Sequence, residues 1–196
     1  MKGATFTEMM MNIRAPKIQV DKRRLVLTAY DVVGILIVAL ISFVLIVGFF
    51  FRVVGVHGDS MNPTLFDADR LLLASYKSEY ERGDIVVIDR YTDKPLIKRV
   101  IAVGGDTINL SPAADGIAVL VNGQIQYETY TQGTTVLNDF KSEIKIPDGY
   151  YFVLGDNRTI SKDSRMKEIG LINEKDIVGK AVYCVWPVTS FGDIYE

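Results

Sequence analysis

The apolar and polar positions divide the chain into two regimes. Residues 32–51 form a run of twenty without a charge, and a helix rising about 1.5 Å per residue crosses a hydrocarbon core of about 30 Å in roughly that length. After it the apolar runs shorten. Residues 71–73, 85–88, 96–103, 117–121, 150–154 and 177–185 are β-branched or aromatic stretches bounded by Gly, Asp, Asn or Pro, which is the pattern of strands. Asn122-Gly123 between two such stretches predicts a type I′ hairpin, and Pro147-Asp148-Gly149 turns the chain before Tyr150. No long amphipathic helical period follows the span. The pattern therefore predicts a mostly β protein: a tail over 1–31, a transmembrane anchor over 32–54, and a single antiparallel β domain over 55–196.

Charge gives the first regime a direction. Residues 1–31 carry six Lys/Arg against three acids, and residues 52–196 carry sixteen against twenty-one. Lys22-Arg23-Arg24 flanks the apolar run, so the positive-inside rule places the tail in the cytoplasm and the β domain outside the membrane. A cleaved secretory signal has an apolar region of about 7 to 15 residues, so this longer run is expected to stay as an anchor. Val56-His57-Gly58 leaves removal open as the alternative. One Cys excludes an internal disulfide, and one His beside one Cys makes a zinc site, or any metal centre, a poor expectation. A pI near 5.5 and a net charge of −2 argue against nucleic acid as a partner.

Three polar stretches interrupt the β pattern. Gly58-Asp59-Ser60-Met61-Asn62-Pro63-Thr64-Leu65 follows a strand-like Val53-Val54-Gly55-Val56 and holds Ser60 on a bend, where Gly58 lets a substrate backbone come close. A surface-turn serine is the plain alternative. A serine hydroxyl needs an adjacent base to act as a nucleophile. His57, the single histidine, lies three positions away, and an odd separation on a strand points side chains to opposite faces. That disfavours a His-based triad and leaves a lysine or a carboxylate. In Leu96-Ile97-Lys98-Arg99-Val100-Ile101-Ala102-Val103, Lys98 shares a face with Leu96, Val100 and Ala102, and Arg99 shares the other with Ile97, Ile101 and Val103. A lysine on an apolar face is desolvated, which moves its pKa from about 10.4 toward the 7 to 8 of a general base; a stem that snorkels to solvent is the alternative. The third stretch, Gly155-Asp156-Asn157-Arg158-Thr159-Ile160-Ser161-Lys162-Asp163-Ser164-Arg165, reads either as a solvated loop or as a shell that positions a base. Cys184, flanked by no histidine, reads as a small buried hydrophobe.

In this order behind one apolar span, the stretches resemble the bacterial type I signal peptidases, membrane-bound serine proteases, in a compact Gram-positive-like form. The Gly58 to Leu65 stretch is similar to that family's nucleophile box, and Arg82-Gly83-Asp84-Ile85-Val86 to its following strand motif. Lys98-Arg99-Val100-Ile101-Ala102-Val103-Gly104-Gly105-Asp106 is similar to its lysine box, and Gly155-Asp156-Asn157-Arg158 with Ser161, Asp163, Ser164 and Arg165 to its last box. The resemblance implies the signal peptidase type of β domain, Ser60 as nucleophile and Lys98 as base. It further implies that Ser161 holds the lysine and that Asp163, Arg165, Arg99 and Asp156 are ion-paired supports. The oxyanion would meet the Ser60 N–H and a second donor; some relatives carry a serine where this chain has Gly58, so that donor stays open. The implied partners are exported preproteins, cut after small residues, and the lipid bilayer, with no metal, cofactor or nucleic acid. The implied place is the cell membrane with the catalytic domain outside. A Ser-Lys peptidase devoted to one substrate would keep the same boxes. A non-catalytic anchored β domain would give Ser60, Lys98 and Ser161 no reason to converge.

Overall fold

The computed structural model describes residues 22–75, 79–92, 94–114 and 116–195, so most of the expected tail, residues 1–21, lies outside the described residues. The chain forms two compact units that divide between Ile46 and Val47. The first is built on α1 (Lys22–Phe50). Its stretch Val26–Phe50 is long and apolar enough to cross a membrane, and its Leu, Ile, Val and Phe side chains are exposed, as an anchor's would be. The helix passes directly into β1 (Phe51–Gly55). Residues 51–54, assigned to the anchor from the sequence, are in strand conformation, with Phe51 opposite Ala74 and Ser75 N–H donating to Phe50 O (3.1 Å). Hydropathy alone does not separate the end of an apolar helix from the start of an apolar strand.

The second unit is a mostly antiparallel β domain with two sheets. The larger one has the order β1-β2-β11-β3-β4-β9-β10, with β12 added beside β11. Its further strands are β2 (Arg70–Ala74), β3 (Ile85–Ile88), β4 (Leu96–Ala102), β9 (Tyr150–Leu154), β10 (Ile172–Asn173), β11 (Ile177–Trp186) and β12 (Gly192–Asp193). The smaller sheet has the order β7-β6-β5-β8, from β5 (Thr107–Ala113), β6 (Gly116–Val121), β7 (Gln124–Ile125) and β8 (Ile144–Lys145). The Asn122-Gly123 hairpin joins β6 to β7 with both φ angles positive (53° and 77°), as its sequence predicts.

Three buried clusters explain why β3, β4 and β9 read as continuous apolar runs: they are covered on both faces. One cluster holds Met61 and Leu65 against Ile85, Val87 and Ile97, so the turn that carries Ser60 is pinned over β3 and β4 by its own apolar residues. A second, between the sheets, gathers Ile101, Ala102, Ile108, Val121, Phe152 and Leu154. The third lies under Val86, Val100, Tyr151 and Val153. Strict alternation placed Ala102 with Val100 and Ile101 opposite. The register between β4 and β9 shifts between Val100 and Ala102, and Ile101 and Ala102 enter the same cluster, as happens when a bulge adds a residue to one strand.

Candidate active site

Strand register brings the three polar stretches together. Arg99 sits opposite Leu154, the last residue of β9, so the loop that starts at Gly155 begins beside the Lys98-Arg99 pair. From the other side, Asn157 N–H donates to Ser60 O (3.0 Å), which ties that loop to the serine turn. The approach is close enough to require glycine: a β-carbon on Gly155 would lie 2.2 Å from Ser161 Oγ and 2.5 Å from Ser60 O.

At the centre, Lys98 Nζ donates to Ser60 Oγ (2.7 Å) and to Ile97 O (2.8 Å). Lys98 is 2% exposed, and burial pulls its pKa down from 10.5 to about 8, against the nearby carboxylates of Asp163 and Asp156 and with help from Arg165. An ammonium is costly where water is excluded. A lysine in this range can be neutral at ordinary pH, and a neutral amine 2.7 Å from a hydroxyl is able to take its proton. Ser161 is buried in the same loop, and its hydroxyl has no hydrogen-bond partner among the described residues.

Two buried ion pairs flank the lysine. Arg99 Nε and Nη2 donate to the two oxygens of Asp156 (2.9 and 2.7 Å), and Nη1 to Gly83 O. Arg165 Nε and Nη2 donate to the two oxygens of Asp163 (2.8 and 2.7 Å), and Asp163 also receives Gly155 N–H. Both arginines thus make the two-pronged contact that fixes a carboxylate's plane as well as its place. Thr64, to which the sequence pattern assigns no role, also joins this site: its hydroxyl donates to Asp156 Oδ2 (2.6 Å) and accepts from Arg99 Nη2 (3.3 Å). Glu128, which receives Arg158, and Tyr130, whose ring lies 4.0 Å from the Arg99 guanidinium, also border this site, and the sequence pattern marks neither. They come from the smaller sheet's outgoing segment, and nothing local in the sequence links them to the loop.

The remaining residues singled out from the sequence have these surroundings. Gly58 is exposed, and its N–H is engaged by Asp67 Oδ1 (2.8 Å). His57 is exposed. Cys184 is buried, its thiol donates to Trp186 O, and burial pushes its pKa up. Among the described residues, no group of three or more His, Cys, Asp or Glu side chains is placed to hold a metal ion.

A buried lysine on a serine hydroxyl in a two-sheet β domain is an arrangement able to activate that hydroxyl, and comparison with known proteins places the chain in a family of serine peptidases. Residues 29–186 match the family model for signal peptidase, peptidase S26. Signal peptidase I of Bacillus licheniformis is 34% identical over 171 residues, covering 81% of this chain and 89% of that protein. Signal peptidase I P of Bacillus subtilis subsp. natto is 36% identical over the same length, with the same coverage. The chain belongs to the S26 signal peptidase family and is a serine endopeptidase. A crystal structure of a signal peptidase I from Enterococcus faecalis aligns at 24% identity and a TM-score of 0.42, covering 53% of this chain and 97% of that one.

Proposed function

We propose that this protein removes signal peptides from exported preproteins, cutting after small residues, with Ser60 as nucleophile and Lys98 as general base. The observation that carries the reading is the 2.7 Å contact between Lys98 Nζ and Ser60 Oγ on a lysine whose burial lowers its pKa to about 8. Neutral Lys98 takes the Ser60 proton as the oxygen attacks the scissile carbonyl. The resulting ammonium gives that proton to the leaving amine, and an acyl-enzyme remains on Ser60. Water, deprotonated by the same lysine, then releases the cleaved signal peptide. The ammonium formed midway is met by the charges of Asp163 and Asp156, which favour it electrostatically. The Ser60 N–H serves as one oxyanion donor. Gly58 N–H is already held by Asp67, so the second donor is a group other than that amide in its present conformation.

The anchor belongs to the same reading. Val26–Phe50 spans the bilayer once, with the basic cluster at residues 22–24 on the cytoplasmic side and the β domain outside. The test is cleavage of a preprotein with an Ala-x-Ala site by the full chain in detergent, comparing wild type with Ser60→Ala and Lys98→Met. Both variants should remain folded and lose at least about 10³-fold in rate, the order expected for removing a nucleophile or its base. Full-rate cleavage by either variant would refute the assignment.

A further inference from the structure

The loop after β9 is gripped from outside the larger sheet. Residues 126–137 leave β7 and run along it: Gln132 N–H donates to Asp156 O (2.8 Å), and Arg158 N–H donates to Gln132 O (2.9 Å). Two side chains of this strap reach further in. Glu128 receives Arg158 Nη1 and Nη2 on its two oxygens (2.7 and 2.6 Å) and the Tyr130 hydroxyl on Oε1 (2.8 Å). The Tyr130 ring lies 4.0 Å from the centre of the Arg99 guanidinium, the same group that holds both oxygens of Asp156. Arg158 is 1% exposed, and its Nε is used by Gly155 O (3.1 Å). Each of the two buried cations beside Gly155-Asp156-Asn157 therefore has a partner in the strap.

We infer that Glu128 and Tyr130 are positioning residues for the proteolytic reaction: acting on Arg158 and Arg99, they hold the 155–161 loop in register with Ser60 and Lys98. The loop transmits its position to the serine turn at two points, Asn157 N–H on Ser60 O and the Thr64 hydroxyl on Asp156. A buried ion pair is weak as a source of stability, since apolar replacements of the same volume often do as well. What the two-pronged Arg158 contact adds is direction, and a cation over an aromatic face restricts Arg99 in the same way. Reacting groups displaced by about 1 Å cost on the order of 10²-fold in rate.

This inference rests on the Ser60–Lys98 reading, and the experiment separates the two. The full chain in detergent is assayed as wild type, Tyr130→Leu, Tyr130→Phe, Glu128→Ala and Ser60→Ala. The readouts are kcat and KM per active site titrated with a covalent serine reagent, together with thermal melts. Tyr130→Leu and Glu128→Ala should each lose about 10- to 100-fold in kcat per titrated site with KM within about threefold, because only the geometry of the chemical step is disturbed. Tyr130→Phe keeps the ring on Arg99 and should recover to within about threefold of wild type. Undiminished kcat per titrated site in Tyr130→Leu, or a loss that merely follows the folded fraction, overturns the inference. If Glu128→Ala fails to fold, the Tyr130→Leu and Tyr130→Phe pair decides. Cleavage retained by Ser60→Ala overturns the nucleophile assignment itself, whereas an inert Ser60→Ala beside a normal Tyr130→Leu overturns the strap alone.

Discussion

Lys98 and Arg99 are neighbours on one strand and almost equally buried, at 2% and 4% exposed, yet their surroundings treat the two charges in opposite ways. Arg99 meets a carboxylate with two hydrogen bonds, and a carbonyl, a hydroxyl and an aromatic ring complete its shell. Its pKa is raised: burial works against the charge, but the bonds to Asp156 prevail. Among the described residues Lys98 hydrogen-bonds only a hydroxyl and a carbonyl, and the carboxylates that act on it do so without a hydrogen bond, so burial wins. Desolvation is common to both residues. The difference is a bonded counter-charge, which turns one buried cation into a strut and leaves the other able to give up its proton.

The comparison breaks most sharply if the two chemistries are exchanged. A guanidinium stays protonated wherever it is placed, so Lys98→Arg should abolish cleavage by at least about 10³-fold. Wild-type kcat/KM, measured across pH, should climb through about pH 8 as Lys98 becomes neutral, and Lys98→Arg should show no such limb. A climb that survives in the variant would assign the titration to another group. Next in size is the removal of the strut's partner. Asp156→Asn leaves Arg99 buried without its counter-charge, a change that costs about 3 to 5 kcal/mol in comparable sites, and denaturant unfolding should register most of it.

The smallest effect has the opposite sign. Folding depresses the Lys98 pKa from 10.5 to about 8, so between these values the unfolded chain binds more protons and stability rises with pH. Below about pH 8 the folded state bears the whole cost of the shift, roughly 3 kcal/mol at about 1.36 per unit. Lys98→Met should therefore stabilise the protein at pH 7 by up to about that amount. The gain should shrink above pH 8 and disappear near 10.5. Thermal melts of both proteins at pH 7 and pH 10 test this, and a Lys98→Met protein that is less stable at pH 7 would mean that the buried lysine is not at odds with its site.

Some of this was legible before any fold was known. A twenty-residue uncharged run needs only hydropathy to be read, and the short strands needed only period-two patterning and turn residues such as Asn122-Gly123. Lys98 stood out because a lone lysine on an apolar strand must lose its hydration if that face is covered. The bulge in β4 escaped the pattern, since one extra residue inverts the faces beyond it without any marker in composition. The strand β5 escaped as well: Ile108 and Leu110 do alternate with polar residues, but two apolar positions cut short by Pro112 make a weak strand signal. Residue types and local periods were determined by the sequence: an apolar helix, a β domain, and a serine, a lysine and a charged loop in fixed order. Their distances were not. The 2.7 Å between Ser60 and Lys98, the pairing of Arg99 with Asp156 rather than with another acid, and the reach of Glu128 and Tyr130 to the loop depend on the register of β3, β4 and β9. That register is decided by which apolar faces pack together across long stretches of chain, and short-range patterns carry no record of it.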